Sequence, residues 1–322
     1  MAASLIKANR IDGVANSGMG NFAMFLLAAF TQSLFAMESA KTESAAVAAI
    51  DDEGSLIQLA APANRIISLA PSLTELIYAA GAGDKLVGVI AYSNYPEAAK
   101  SLPVVGQHDM LDMERILALR PDLVVAWLSG NPRASVRRLR ELGLNVYIAE
   151  PRNLESIPSH MERLAILAGS ESIAKPAAEN FRSRLRALDH RYRNKAAVRT
   201  FYQVWDKPLI SAGGNELIND IISLCGGRNI FSNIDRVAPK VSKEAVLVRN
   251  PMVIIASGMD IERPEWLDEW RNWPAVNAVA NNKLFFVPPD LVQRHTPRAL
   301  QGAEIICAQI DLARSTLPGS SN

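Results

Sequence analysis

The chain has 322 residues, of which 49% are hydrophobic and 21% are charged, which is enough for a sizeable core and for two structural units. Its 34 basic and 33 acidic residues leave a net charge of +1. This balance provides no general electrostatic attraction to nucleic acid or to anionic lipid, so neither is expected as a partner.

The N-terminus has the layout of a secretory signal. Lys7 and Arg10 precede the apolar run FAMFLLAAFTQSLFA, which ends at Ala36, and polar residues follow. The run is too short to span a bilayer comfortably. We predict a signal peptide over residues 1–36, cleaved near Ala36, with an uncleaved anchor or a mis-assigned start of the chain as the alternatives. No cysteine follows the run directly and no later run is apolar enough to span a membrane, so the mature protein is expected in the periplasm without stable membrane insertion.

Residues 37–61 are rich in Ala, Ser and acidic side chains and are predicted to form a linker. From residue 62 the pattern alternates between short apolar runs and helical stretches, which predicts an N-terminal lobe over 62–169 with a parallel sheet covered by helices. Its strands are expected at IISLA, LVGVIAY, DLVVAWL and NVYIAE.

The turn after the first of these strands reads Ala70-Pro71-Ser72-Leu73-Thr74-Glu75. It lacks the glycines that hold a nucleotide phosphate. Ser72 and Glu75 have the spacing of a capping box, in which a hydroxyl and a carboxylate bind free backbone N–H groups at a helix start.

Residues 170–196 have apolar positions at helical spacing among many charges and predict one long, half-exposed connecting helix, with Pro176 in its first turn. Strand patterns return after this helix at RTFYQVW, MVIIAS and KLFFVPP. They predict a C-terminal lobe over 197–316, followed by a short tail, 317–322.

The two predicted lobes contain segments of similar sequence. MERILALRPDLVVA (113–126) corresponds to KEAVLVRNPMVIIA (243–256), and Thr74-Glu75-Leu76-Ile77 corresponds to Asn215-Glu216-Leu217-Ile218. Two pairs of similar segments in the same order predict two similar α/β lobes. Ligands of such units gather beyond the carboxyl ends of the strands, so facing lobes would form a ligand cleft.

The sequence contains little that would support an enzymatic function. The four histidines, His108, His160, His190 and His295, are scattered, and neither a nucleophile motif nor a cluster of metal ligands occurs. We therefore expect no enzyme, no cofactor and no resident metal, and we place His160 and His190 at the surface of helices.

Aromatic residues at strand ends are more informative. Tyr92, Tyr95, Trp127 and Trp205 follow or end predicted strands, and their shared position favours a cleft for a broad planar or apolar ligand, with ordinary packing as the alternative. The three tryptophans of EWLDEWRNW are spaced i, i+4, i+7 and predict core packing instead. These are Trp266, Trp270 and Trp273.

Predictions also follow from two further groups of residues. In an exported protein Cys225 and Cys307 favour one disulfide, whereas in cytosol they would be two buried thiols. In PPDLVQRHTPR, residues 288–298, Asp290, Arg294 and His295 share one loop. They predict either a surface ion pair or a polar clamp on ligand amides.

Several segments together resemble the helical-backbone, class III periplasmic substrate-binding proteins of ABC importers, and among them the receptors for cobalamin. The segments are RIISLAPSLTEL, YSNYP, MERILALRPDLVVAW, VSKEAVLVRNP, the CGG of 225–227 and PPDLVQRHTPR. The resemblance covers nearly everything after residue 62. It implies two lobes joined by a long helix, a cobalamin or related corrinoid as transported ligand, and delivery to an ABC importer permease dimer by a monomeric receptor.

The resemblance also implies roles for individual residues. Tyr92 and Trp127 match aromatics that line the corrin site, and Asp290 and Arg294 match residues that bind its side-chain amides. The pair Glu114 and Glu244 matches carboxylates at the lobe tips that dock on permease arginines. The pair Cys225 and Cys307 matches the family disulfide.

Three positions depart from the family pattern. His108 replaces a tryptophan, Ala238 lies near the position of another, and Val204 replaces a phenylalanine, although Trp205 is adjacent and joins the expected ligand set. At His108 we expect a hydrogen bond at the cleft rim, with coordination of cobalt as the alternative.

Other functions remain as alternatives at this point. The same receptor could serve a ferric siderophore or haem, in which case an anionic chelate would favour several cleft arginines. An α/β enzyme and a periplasmic interaction protein without ligand are the alternatives from other classes.

Overall fold

The computed structural model describes residues 45–258 and 261–316. The predicted signal peptide, the tail and residues 37–44 of the predicted linker lie outside the described residues. Within the described ranges, no helix is long and apolar enough to cross a membrane.

The rest of the segment predicted as a linker forms a hairpin, so that part of the prediction is wrong. Strands β1 (Val47–Ile50) and β2 (Leu56–Leu59) pair antiparallel. The carboxylate of Asp51 accepts the N–H groups of Glu53 and Ser55, at 3.0 and 2.8 Å, and so closes the turn. Ala49 and Leu59 are buried in the core, which anchors the hairpin to the N-terminal lobe.

The N-terminal lobe is built on a four-stranded sheet in the order β4-β3-β7-β8, with every neighbouring pair parallel. Its strands are β3 (Ile66–Ser68), β4 (Leu86–Val89), β7 (Leu123–Trp127) and β8 (Val146–Ala149). A small hairpin, β5 (Gly106–Gln107) with β6 (Met110–Leu111), follows β4. The helices are α1 (Pro71–Ala79), α2 (Met113–Ala118), α3 (Arg133–Glu141) and α4 (Ser156–Ala168), with 3₁₀ turns at Gly83–Lys85 and Glu97–Ser101.

The C-terminal lobe has a five-stranded sheet centred on β9, which pairs parallel with β12 and β11 and antiparallel with β10. The strands are β9 (Val198–Asp206), β10 (Leu209–Ser211), β11 (Gly227–Asn229), β12 (Val253–Ala256) and β13 (Leu284–Phe286), the last parallel to β12. The helices are α6 (Leu217–Leu224), α7 (Lys243–Arg249), α8 (Asn277–Ala280) and α9 (Ala299–Arg314), with 3₁₀ helices at Glu265–Asn272 and Pro289–Leu291.

One long helix, α5 (Glu171–Tyr192), joins the lobes. Ala174, Ala178 and Phe181 are its main buried stripe, while most of the remaining face is exposed. The helix begins at Glu171, so Pro176 lies in the second turn rather than in the first as predicted. The predicted architecture of two similar α/β lobes joined by one long helix is confirmed.

The start of α1 corrects the capping-box prediction. Pro71 occupies the first turn, Ala70 is the N-cap, and no side chain caps the helix. Because proline has no N–H, one of the free donors that a cap would satisfy is already absent. Glu75 is instead buried and pairs with residues of the other lobe, as described below.

The sequence echo between the lobes has a structural counterpart. Helices α2 and α7 each start with a side-chain cap: Asp112 accepts the Arg115 N–H at 2.9 Å, and Ser242 accepts the Ala245 N–H at 3.1 Å. Each helix leads through a proline into the strand that follows, β7 or β12. The echoed segments therefore form the same helix–turn–strand unit in both lobes.

The tryptophans predicted to pack in the core do so, although from a 3₁₀ helix. Trp270 is buried and its Nε1 donates to Oε1 of Gln203 at 2.7 Å. Trp266 and Trp273 are partly buried against the same apolar cluster.

His160 corrects a prediction of surface exposure, whereas His190 is exposed as expected. The His160 side chain is 2% exposed, and its ring nitrogens lie 2.7 Å from the Ser156 carbonyl and 2.7 Å from Oδ2 of Asp52. Asp52 also accepts from Arg163 at 2.9 Å. The helical spacing around His160 gave no sign of Asp52, which lies in the turn of the β1–β2 hairpin, 108 residues earlier.

Cys225 and Cys307 form a disulfide, as predicted, between the C-terminal cap of α6 and the middle of α9. The bond joins residues 82 apart in sequence and ties the two helices within the C-terminal lobe.

Replacing both cysteines by serine is expected to lower the free energy of unfolding by about 3 kcal/mol, because the unfolded chain regains the entropy of a long loop. Urea denaturation of the oxidised wild type and the double variant measures this difference. Thiol titration of denatured, unreduced wild type should find no free thiol. Two free thiols, or equal stability of both proteins, would contradict the role given to the bond.

Candidate functional site

A cavity of about 240 Å³ lies between the lobes at the carboxyl ends of the two sheets. The N-terminal lobe contributes Trp127, Ser129, Glu150, Pro151 and Arg152. The C-terminal lobe contributes Asn215, Glu216, Asp235, Arg236, Val237 and His295. This is the region in which an α/β architecture is expected to bind its ligand.

Trp127, predicted to bind the ligand, lies in this cavity at the last position of β7. Its N–H donates to Oδ1 of Asn131 at 2.7 Å, and Nδ2 of that buried asparagine donates to the Leu69 carbonyl at 2.9 Å. The indole lies against Gly130, where an added Cβ would be 1.8 Å from Cε3 of the ring. Backbone and ring are therefore both held in place before any ligand arrives.

Tyr92 and His108 lie together at the rim of the N-terminal lobe. Ala91 donates to the Gly106 carbonyl at 2.9 Å, which holds the β5–β6 hairpin beside the residue preceding Tyr92. Tyr92 is 80% exposed and adopts a positive φ of 66°. The His108 side chain is 71% exposed in the hairpin turn. Neither side chain lines the cavity that contains Trp127.

Trp205 lies at the end of β9, beyond the paired part of β12. Its Nε1 donates to the Lys207 carbonyl at 3.2 Å, and it does not line the cavity that contains Trp127. The structure thus separates the predicted aromatics into one cavity residue, Trp127, and others at the edges.

Asp290 and Arg294 belong to a charge cluster that we call the inter-lobe cluster: Glu75, Asp290, Arg294 and Arg298. Glu75, whose side chain is only 2% exposed, accepts from Arg294 at 2.9 Å and from Arg298 at 2.9 and 2.6 Å. Arg294 lies 3.1 Å from Asp290. Glu75 is buried, while the side chains of Arg294 and Asp290 are 15% and 31% exposed, so the ion pair considered from the sequence is present and partly buried between the lobes.

Two neighbours complete this cluster. Oδ1 of Asn94 accepts from Arg294 at 2.8 Å, and the Arg298 guanidinium lies 4.0 Å from the centre of the Tyr95 ring, close enough for a cation–π contact. Both neighbours belong to the segment after β4. The sequence predictions did not include Glu75 or Arg298 among the site residues.

Glu216 and His295 form a second buried pair, and Glu216 was also missed. Its Oε2 accepts the Ile218 N–H at 2.6 Å, and Oε1 lies 3.9 Å from Nε2 of His295. Burial raises the pKa of Glu216 to about 7. Burial also lowers the pKa of His295 to about 4, with His160 contributing in the same direction. Near neutral pH the imidazole is therefore uncharged, and the carboxyl holds a proton part of the time.

The placement of Glu216 follows from the glycines before it. A Cβ at Gly213 would lie 1.7 Å from the Arg236 carbonyl oxygen, and one at Gly214 would lie 2.0 Å from that of Ser232. Only glycine permits this approach, which brings the start of α6 against the loop after β11. The similarity between Thr74-Glu75 and Asn215-Glu216 was the signal in the sequence that could have identified Glu216. In the structure both glutamates are buried near the cleft.

Replacing Glu216 by Gln should stabilise the protein at high pH. The pKa of Glu216 is about 7 in the folded chain against an ordinary 4.5, so between these values the folded state binds more protons than the unfolded state. The free energy of unfolding therefore falls as the pH rises through this window. We expect Glu216→Gln to exceed the wild type by about 2 kcal/mol at pH 8 and to match it near pH 5.

Urea denaturation at both pH values measures this effect, with Glu179→Gln on the exposed face of α5 as the control. A stability difference that is the same at pH 5 and pH 8 would show that Glu216 does not titrate in this way.

Glu114 and Glu244 are both exposed and occupy the second position of α2 and of α7. Each helix starts near the carboxyl edge of its sheet and runs back before the next parallel strand. The two carboxylates therefore lie at equivalent positions of the two lobes.

Among residues 45–258 and 261–316, no group of three or more His, Cys, Asp or Glu side chains is arranged to hold a metal ion.

Comparisons with known proteins agree with this architecture. The family described as "Periplasmic binding protein" matches residues 66–291. The vitamin B12-binding protein of Vibrio cholerae serotype O1 is 40% identical over 261 residues, covering 81% of this chain and 94% of that protein. The vitamin B12-binding protein of Yersinia pestis is 40% identical over 257 residues, covering 80% and 90%.

Solved structures give the same result. The periplasmic vitamin B12-binding protein BtuF of Vibrio cholerae superposes with a TM-score of 0.73 at 39% identity, covering 79% of this chain and 99% of that one. The periplasmic haem-binding protein HutB of Vibrio cholerae superposes with a TM-score of 0.65 at 25% identity, covering 76% and 97%. With two class III lobes, a cleft between them and a family match over most of its length, the chain belongs to the periplasmic binding proteins.

Proposed function

We propose that the protein is a non-catalytic periplasmic receptor that captures cobalamin or a related corrinoid between its lobes and delivers it to an ABC importer. The observation that carries this proposal is the cleft itself, in which Trp127 is fixed beside paired polar groups from both lobes. The similarity to vitamin B12-binding proteins over four-fifths of the chain supports the choice of ligand.

The charges of the cleft favour a ligand without net charge. In the inter-lobe cluster two arginines are matched by two carboxylates. In the cavity, Arg152 and Arg236 are balanced by Glu150 and Asp235. An anionic ferric siderophore would gain from unmatched arginines, whereas a neutral cobalamin needs none. The haem and siderophore alternative is therefore the weaker candidate, and the likeness to a haem-binding protein at 25% identity is its support.

The residues proposed to contact the corrinoid are Tyr92, His108, Trp127, Trp205, Asp290 and Arg294. Trp127 would pack its indole against the corrin edge, and Tyr92 and His108 would cover the ligand from the rim. Arg294 and Asp290 would hold its side-chain amides, although Arg294 is already engaged by Glu75. A preformed cluster of this kind reduces the cost of ordering side chains on binding.

The absorption spectrum of the protein purified from its native host tests the ligand class. We expect the bands of a corrinoid, because the receptor would retain part of its ligand through purification. Haem or ferric-chelate bands would assign the protein to the alternative ligand instead.

Trp127→Ala should weaken cyanocobalamin binding about tenfold to a hundredfold, because burying an aromatic face against the ligand contributes on the order of 1 to 3 kcal/mol. Isothermal titration calorimetry measures the change. Trp127→Phe, which keeps a ring against Gly130, should retain most of the affinity. Equal binding by Trp127→Ala and the wild type would remove this residue from the site.

A further inference from the structure

A buried acid–imidazole pair in the cleft, distinct from the inter-lobe cluster, has no role in the function described above. Glu216 comes from the start of α6 and its side chain is 8% exposed; His295, on the loop before α9, is 16% exposed. Both line the cavity that contains Trp127. A ligand that fills the cavity must therefore meet this pair.

The two side chains do not satisfy each other. Oε1 of Glu216 and Nε2 of His295 are 3.9 Å apart, which is beyond hydrogen-bond distance. Oε2 accepts the Ile218 N–H, and the Leu217 N–H also bonds the carboxyl. Oε1 is the carboxyl oxygen nearer His295, so a third group placed between the two side chains would meet Oε1 and Nε2.

The chemistry of these atoms selects that group. A protonated carboxyl donates one hydrogen bond, and a neutral imidazole accepts one at its unprotonated nitrogen. A primary carboxamide presents the matching set, a carbonyl oxygen that accepts and an NH₂ that donates. An anionic carboxylate lacks the donor, and an ammonium lacks the acceptor.

We propose that Glu216 and His295 form an amide subsite of the cleft, in which protonated Glu216 donates to the carbonyl oxygen of a ligand carboxamide and neutral His295 accepts from its NH₂. This inference rests on the proposed function, because it requires a ligand that carries carboxamides. It adds a site on the C-terminal lobe to the amide contacts already assigned to Asp290 and Arg294.

The surroundings of Glu216 favour its protonated form on balance. Burial raises the pKa of Glu216 most strongly and Asp220, one turn along α6, raises it further, whereas the N–H groups of Ile218 and Leu217 lower it. Tyr202 on β9 also has its pKa raised by burial. Burial is the main cause that lowers the pKa of His295, and the charge of His160 lowers it further. The remaining charged groups around the cavity are two acids and two bases, Glu150, Asp235, Arg152 and Arg236.

Binding at this subsite should take up a proton. Covering the carboxyl with ligand removes its remaining contact with water and disfavours the ionised form further. Affinity should therefore be higher at pH 6 than at pH 8, by about threefold to tenfold. His295, with a pKa of about 4, stays neutral across this range.

Calorimetry with cyanocobalamin tests the proposal at pH 6 and pH 8, and at pH 7.5 in two buffers of different ionisation enthalpy, which counts protons directly. We expect the wild type to bind more tightly at pH 6 and to take up a proton. Glu216→Gln, which is neutral at every pH, should bind with the same affinity at pH 6 and pH 8 and take up none. His295→Ala should weaken binding severalfold at both pH values.

Glu179→Gln on α5 is the control and should keep the pH dependence of the wild type. If Glu216→Gln retains the same pH dependence and proton uptake as the wild type, the amide subsite is overturned while the proposed function stands. If the wild type binds no cyanocobalamin at either pH, the proposed function is overturned and the subsite with it.

Discussion

Reversing Glu114 and Glu244 to Lys is expected to abolish ligand uptake by cells while leaving cyanocobalamin binding to the purified protein unchanged. Both carboxylates are exposed at the second position of equivalent helices, one on each lobe. We propose that they meet arginines of the importer permease. Opposite charges of this kind steer and register an encounter, and like charges placed together cost several kcal/mol.

The matched control is the reversal of Glu141 and Glu179 to Lys, which changes the net charge by the same amount at exposed positions on α3 and α5. Uptake of labelled cyanocobalamin should survive in this control. The docking assignment would be wrong if Glu114→Lys with Glu244→Lys lost ligand affinity in calorimetry to the same extent as uptake, or if both double variants were equally defective.

Glu75→Ala should lower the free energy of unfolding by about 3 to 5 kcal/mol, the range expected when one partner of a buried ionic cluster is removed. The change leaves Arg294 and Arg298 without the carboxylate that both now contact. Because Glu75 belongs to the N-terminal lobe and both arginines to the C-terminal lobe, contact between the lobes should weaken as well. Cyanocobalamin affinity should fall in parallel, since Arg294 would lose the carboxylate that orients it.

Urea denaturation and calorimetry measure these two effects. Glu304→Ala provides the control, because Glu304 pairs with Arg184 at a site where both side chains are more than 40% exposed; it should cost less than about 1 kcal/mol. Wild-type stability of Glu75→Ala would mean that the inter-lobe cluster contributes nothing to holding the lobes.

The strands and the repeat could be predicted from the sequence because their signals are local. Strands β7, β8 and β12 are short apolar runs buried in their sheets, and the Pro before β7 and before β12 marks the end of the preceding helix. Trp127 could be placed in the cleft for the same reason, since the last residue of a parallel strand reaches the carboxyl edge of the sheet.

Glu75 shows why the rest could not be predicted. Its distance from Ser72 fits a local cap, yet its partners lie 219 and 223 residues later. The burial of His160 could not be predicted for the same reason. The acid that pairs with His160 belongs to the N-terminal hairpin, within the segment that was predicted to be a linker. In both cases a side chain that was predicted to have a local or a surface role is buried beside a partner far away in the sequence. The sequence similarity between residues 74–77 and 215–218 was the local signal that connected the two buried glutamates, Glu75 and Glu216.

Calorimetry with cyanocobalamin, haem and a ferric siderophore in parallel tests most directly whether the cleft binds a corrinoid. We expect tight binding of cyanocobalamin alone, weakened by Trp127→Ala and by Arg294→Ala. Absence of cyanocobalamin binding together with tight binding of haem or of the siderophore would contradict the proposed ligand.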